Sequence, residues 1–145
     1  MKFSWTSLKI SIAGAKLSHL VQKDRIWDHG SMAEQARIIF YLVQKANVNG
    51  NIESLKMQCS ANCFRKLKAI MYHNDRYNEV FLNEPVIKKL AVVDVNPGNR
   101  NKPDSFTALI KGISKNLNNS DEKEFYTYWF FLREGDWWLL DKIKR

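Results

Sequence analysis

The chain has 145 residues, 45% hydrophobic, 12% aromatic and 26% charged, which is the composition of one ordinary globular domain. A chain of this size hides roughly 68–70% of its surface on folding, so a core forms without disulfides or metal, and disorder, collagen-like repeats and stapled mini-scaffolds are excluded as descriptions of the whole. The net charge of +8 is uneven, +6 over residues 1–75 and +2 over residues 76–145; it favours an anionic partner for the first half or serves solubility alone, and no apolar run approaches the roughly 20 residues of a membrane-crossing helix.

From Thr6 to Gln22, Ile10, Ala13, Leu17, Leu20 and Val21 fall at helical spacing, and Leu8, Ile12 and Ala15 widen the stripe. Lys2, Lys9, Lys16 and Lys23 recur every seven residues and stay near one line along such a helix, with Phe3 and Trp5 at its start. Basic heads, an aromatic end and an apolar face suit a helix lying on anionic lipid. The same pattern describes a helix folded back on its own domain. Lys9 and Lys16 break the apolar run of a secretory signal, and the lack of Arg before Arg25 argues against a mitochondrial presequence. Residues 1–30 read as this basic helix plus a linker, and residues 31–145 as the domain proper.

The stretch from Lys23 to Gly30 is polar and turn-like, and Ser31-Met32-Ala33-Glu34 reads as a capping box. The helix it opens carries Ala36, Ile39, Phe40, Val43 and Ala46 on its apolar stripe, and Asn49-Gly50 ends it. Asn51 is positioned to cap a short helix with Ile52, Leu55 and Met57. Ser60 is positioned to cap another, with Cys63, Leu67, Ile70 and Met71 inside and Arg65, Lys66 and Lys68 outside. Cys59 and Cys63 are the only cysteines; their spacing of four puts both thiols on a core stripe rather than in a zinc site and suggests a reducing compartment. His19, His29 and His73 are isolated in sequence.

After Asp75 the period changes to two. Strands are predicted from Pro85 to Val95, Ser105 to Lys115, Glu124 to Glu134 and Trp137 to Ile143, the last pair joined by a Gly135-Asp136 turn. Three helices followed by a meander predict an α+β domain, helices packed on a curved antiparallel sheet of about four strands. The third strand is apolar on both sides, with Phe125, Trp129 and Phe131 opposing Tyr126, Tyr128, Phe130 and Leu132. In the fourth, Trp137, Leu139 and Ile143 oppose Trp138 and Leu140. A sheet with one wet face would alternate, so both faces are expected to be covered. The candidates for the second face are a partner subunit in a homodimer, a ligand, or the N-terminal helix.

The run from Phe125 to Ile143, with Trp129, Phe131 and Arg133 on one strand, a short turn and Trp137-Trp138-Leu139-Leu140, resembles the closing hairpin of the Tim-forty-four-like domain family. Ala36, Phe40, Gln44 and Ala46 and the Asn49-Gly50-Asn51-Ile52 break are similar to its helical part, so the resemblance covers about residues 31–143. It implies the cone-shaped fold of the nuclear-transport-factor-two-like superfamily. It also implies a non-enzymatic module that docks on anionic membrane or on a membrane-bound protein complex, at the cytoplasmic face of a bacterial membrane or the matrix side of the mitochondrial inner membrane. Protein translocation or the cell envelope is the implied setting. The docking candidates are Lys2, Phe3, Trp5, Lys9, Lys16 and Lys23; the pocket or sheet-face candidates are Phe40, Trp129, Phe131, Arg133 and Trp138.

The alternative is an isomerase, cyclase or dehydratase of the same fold, using a pocket carboxylate. Asp94 and Asp141 are the candidate carboxylates, with Tyr126, Tyr128 or His73 as donors. No Gly-rich phosphate loop, nucleophile elbow or metal motif is present in the sequence, so no cofactor or metal is expected. Nucleic-acid binding ranks last, because Arg is scarce and most aromatics fall at core-like strand positions.

Overall fold

The structure, a computed structural model, describes residues 4–73, 80–116 and 118–144, His73 by its backbone alone. Helix α1 (Trp5–Leu20) begins at Ser4, whose hydroxyl accepts the Ser7 amide at 3.0 Å. Ala13 and Leu17 are buried in the main core and Ile10 and Leu20 are half-buried, but Ile12 and Ala15, expected to widen the packed stripe, are exposed. The linker is less polar in its role than in its composition. Asp24 accepts the Ile26 amide at 3.2 Å, opening a short 3₁₀ turn (Arg25–Trp27) that buries Trp27 edge-on against Trp138, ring centroids 5.3 Å apart. Residues before and after position 30 therefore share one core.

Helix α2 (His29–Asn49) starts earlier than the capping-box pattern places it. Asp28, not Ser31, is the N-cap: its carboxylate accepts the Ser31 amide at 2.9 Å, which satisfies one of the orphan amides of the first turn. Gly50 ends the helix at φ 67°, as the sequence indicates. Asn51 makes no side-chain cap for the following 3₁₀ turn (Ile52–Leu55), and because that turn stops at Leu55, Met57 points into solvent. Helix α3 (Ala61–His73) is capped by Ser60, whose hydroxyl accepts the Cys63 amide at 3.2 Å. Cys59 and Cys63 are buried and free; hydrogen bonding to Cys59 and burial push the Cys63 thiol far up, so it stays a protonated packing group.

Strands β1 (Val86–Asn96), β2 (Ser105–Lys115), β3 (Glu122–Glu134) and β4 (Trp137–Lys144) form one antiparallel sheet in sequence order. This is the predicted α+β architecture, with helices on an open, curved sheet. Buried Gln44 of α2 positions the entry to β1: its amide donates to the Val80 carbonyl at 2.8 Å and accepts the Leu82 amide at 2.7 Å. The inner face is tightly filled. Phe40 lies 5.2 Å from Trp129 and stacks on Phe125, while Phe106 stacks on Phe131 at 4.8 Å and meets Trp138 edge-on.

Bulges bend the sheet and change one facing. Register shifts at Ile87/Lys89 and Val92/Asp94 kink β1, and a third lies in the β3–β4 pairing at Phe130/Phe131. At that third bulge Asp141 is the extra residue, so Ile143 pairs with Trp129 and returns to the core side with Leu140. Strict alternation had placed Ile143 opposite Leu140. Both sheet edges are protected: α1 packs along β1, and residues 58–60 pair with Leu140 through Ser60 N–H to O=C (2.9 Å) and Leu140 N–H to the Gln58 carbonyl (2.9 Å).

Candidate functional site

Phe40, Trp129, Phe131 and Trp138, the pocket candidates, are all packing residues, each 1% exposed or less. Arg133 sits on the same side at the hairpin end and works as a clamp. Its Nη1 reaches Asp24 at 2.7 Å and Asp104 at 3.0 Å, and its Nε donates to the Gly135 carbonyl at 2.7 Å. One guanidinium thus ties the linker, the β1–β2 loop and the β3–β4 turn together. Its hydrogen bond and charge hold the Asp24 carboxyl below its ordinary 3.8. A carboxylate with a lowered folded pKa stabilises the fold fully above its unfolded pKa, and that contribution is lost as pH falls through the folded value. Stability of the wild-type chain is therefore expected to drop as pH falls below about 3.8, and Arg133→Met to flatten that part of the profile. Thermal melts taken down to about pH 2 check this; parallel profiles would show the clamp to be idle.

Asp94 and Asp141 do not enter the core. Asp94 is exposed and accepts from Asn96 at 2.9 Å; Asp141 is half-buried and accepts the Ser60 hydroxyl at 2.7 Å. Tyr126 and Tyr128 lie on the outer face of the sheet, hydroxyl to hydroxyl, with rings perpendicular at 89°. That hydrogen bond, with some burial, pushes the Tyr128 phenol up to about 12. Asp94 and Tyr128 line one groove on the outer face, but each hydrogen-bonds elsewhere, to Asn96 and to Tyr126; the His73 side chain lies outside the described groups. Among the described residues, no three His, Cys, Asp or Glu side chains converge as metal ligands.

The docking candidates divide differently. Lys2 and Phe3 lie outside the described residues. Trp5, Lys9, Ile12 and Lys16 follow one another at steps of four, three and four, the spacing of a single helical stripe, and all are exposed, Trp5 at 78%. This stripe flanks the packed Ala13–Leu17 face. Lys23 is exposed just beyond the helix end.

Beside the two tyrosines named as candidate donors, the outer sheet face carries further features. At its β1 end Ile10 of α1 packs with Ala91, Val93, Leu109 and Tyr128, so α1 covers part of this face. Beside it lies a groove of about 440 Å³ lined by Lys9, Val93, Asp94, Thr107, Tyr128 and Phe130. A second depression of about 560 Å³ is lined by residues including Lys88, Lys111, Glu124 and Tyr126. Lys142 and Lys144 both stand over the Phe130 ring, at 5.5 and 5.9 Å, and Lys111 stands over Tyr126 at 5.2 Å. Crowding by Lys144 holds the Lys142 ammonium below its ordinary pKa. The signal for this cluster in the sequence is Tyr126-x-Tyr128-x-Phe130 with Lys142-x-Lys144; pairing the lysines with Phe130 requires the bulge.

No family model and no curated protein matches the sequence. Among solved structures, the crystal structure of the intermembrane space region of the chloroplast protein ARC6 is similar, with a TM-score of 0.56 at 12% sequence identity, over 81% of this chain and 95% of that one. At that identity the likeness is one of fold. What the two share is an α+β fold, here helices packed on an open four-stranded antiparallel sheet.

Proposed function

We propose that the protein is a non-enzymatic docking module that binds peripherally to an anionic membrane surface through α1. The observation that carries this reading is the exposed stripe of Trp5, Lys9, Ile12 and Lys16 on a helix already anchored to the domain by Ala13 and Leu17. An anchored helix loses little freedom on docking, and its ring and aliphatic side chain can enter the headgroup layer while the lysines meet lipid phosphates. The engaged state of Asp141, the exposed state of Asp94 and the filled inner face favour a binding role over general acid-base chemistry. No helix among the described residues is long and apolar enough to cross a membrane.

The test is co-sedimentation of the full chain with phosphatidylglycerol-containing and pure phosphatidylcholine vesicles. Deleting residues 1–30 would remove Trp27, Ala13 and Leu17 from the core, so point variants at exposed positions are the cleaner probe. With about 1 kcal/mol per lysine near a charged surface, Lys9→Ala/Lys16→Ala is expected to weaken partitioning about thirtyfold. Trp5→Ser/Ile12→Ser should lower binding that persists at high salt. Equal binding to both vesicle types, or binding indifferent to all four substitutions, would overturn the reading.

A further inference from the structure

We propose that the outer face of the sheet is a platform for single-stranded nucleic acid, with bases stacking on Phe130 and the Tyr126–Tyr128 pair and phosphates held by Lys111, Lys142 and Lys144. The inference does not rest on membrane docking, because these residues belong to β2, β3 and β4 rather than to α1. The aromatics at core positions are Phe125, Trp129 and Phe131; alternation along β3 sends Tyr126, Tyr128 and Phe130 to the opposite face, where Tyr126 is 40% exposed and the other two half-exposed. The low rank of nucleic acid in the sequence rests on scarce Arg and on aromatics at core-like positions; these three aromatics are on the outer face, and the cations beside them are lysines.

Several features of the face fit that ligand. Alternate residues on a strand are roughly 6.8 Å apart, so Tyr126 and Phe130 offer ring positions about 13–14 Å apart along β3. The tyrosine rings are perpendicular, so one of them lies flat against a base at a time, giving two stacking positions with Phe130. A stacking surface interleaved with cations is what sequence-tolerant single-strand binders use. Lys142 and Lys144 crowd one ring, and neither has an ion-pair partner among the described salt bridges, so a phosphate between them would relieve their repulsion. Acidic groups are present, Asp94 in one groove and Glu124 in the other, and both are exposed. A duplex fits less well, because its bases are stacked on one another and cannot reach the rings.

The experiment is fluorescence anisotropy of the full chain with a labelled oligothymidylate, an oligouridylate of equal length and a duplex, each titrated over a range of salt. Binding to the single strands and weaker binding to the duplex is expected; the two single-strand arms show whether DNA or RNA is preferred. Phe130→Leu keeps an apolar group and removes the stacking face, and should weaken single-strand binding about 5- to 150-fold. Tyr126→Phe keeps the ring and should bind like the wild type. Lys142→Ala/Lys144→Ala should lower the slope of log affinity against log salt by about 1.4. Absence of binding at low salt would overturn the proposal, as would equal affinity for the duplex or affinity that falls with salt yet ignores Phe130→Leu. Tighter capture of polyglutamate than of oligonucleotide would also overturn it, by pointing to an acidic protein partner. A Phe130→Leu protein with altered circular dichroism would be replaced by Phe130→Met, for which the same loss is expected.

Discussion

Replacing Trp129 with alanine is expected to lower the free energy of unfolding by about 3–5 kcal/mol, a large part of the total for a domain of this size. The indole is 1% exposed and sits between Ala108 and Ile143 on the neighbouring strands, under the Phe40 ring. Few neighbours can move to fill the space, since they are themselves strand residues or core aromatics. A sharper comparison uses phenylalanine. Among the described residues the buried Trp129 indole N–H has no hydrogen-bond partner, whereas that of Trp138 donates to the Ile26 carbonyl at 3.4 Å. An unpaired buried donor costs about 1–3 kcal/mol, so Trp129→Phe removes that penalty along with some packing, while Trp138→Phe loses both packing and a bond. Urea midpoints should therefore place Trp129→Phe above Trp138→Phe; the reverse order would mean that the Trp129 N–H has a partner.

The same two tryptophans show how far the sequence reaches. Period-two alternation identifies their strands, and it separates Phe125, Trp129 and Phe131 from Tyr126, Tyr128 and Phe130 correctly. It fails at Ile143, because a bulge adds one residue, and a single added residue exchanges the two faces for everything after it. Helix existence was equally legible, from 3.6-residue spacing and from Gly50. Helix starts were less so: Asp28 and Ser31 are both good capping residues, and the choice between them depends on Trp27 being drawn into the core by Trp138, which is 111 positions further along the chain.

Site residues were legible only where local pattern decides exposure. The Trp5, Lys9, Ile12 and Lys16 stripe follows from helical geometry once the packed face is known, and the sequence offered two faces without choosing. Arg133 was named on its place in a motif, but its partners Asp24 and Asp104 come from two distant loops, so its clamp role is a property of the tertiary fold. Phe130 with Lys142 and Lys144 is of the same kind: a short motif supplies the residue types, and the register between strands supplies the contact.

Gly112 is one of two glycines, with Gly98 in the β1–β2 loop, where an added methyl group would run into backbone at close range. An alanine Cβ there would lie 2.0 Å from the Val86 carbonyl oxygen and 2.8 Å from the Phe125 ring, at the bulge where β2 meets the start of β1. The first obstacle is backbone, which moves only if the β1 pairing opens, and the second is a ring already stacked on Phe40. Overpacking of this kind costs about 1–3 kcal/mol and sometimes more; with backbone as the obstacle, the upper end is expected. Two other glycines calibrate the effect. Gly135→Ala meets open space but keeps φ at 62°, so it should cost about 1 kcal/mol through strain alone. Gly14→Ala, in α1 with nothing within 4 Å, should be neutral or stabilising by up to about 1 kcal/mol, because alanine favours the helix. The order Gly112→Ala, Gly135→Ala, Gly14→Ala from most to least destabilised, read from chemical denaturation, tests the bulge and the docked helix together. A Gly112→Ala protein as stable as the wild type would mean that β1 enters the sheet on another path, and a destabilised Gly14→Ala would mean that α1 lies closer against a neighbour than the open space at Gly14 allows.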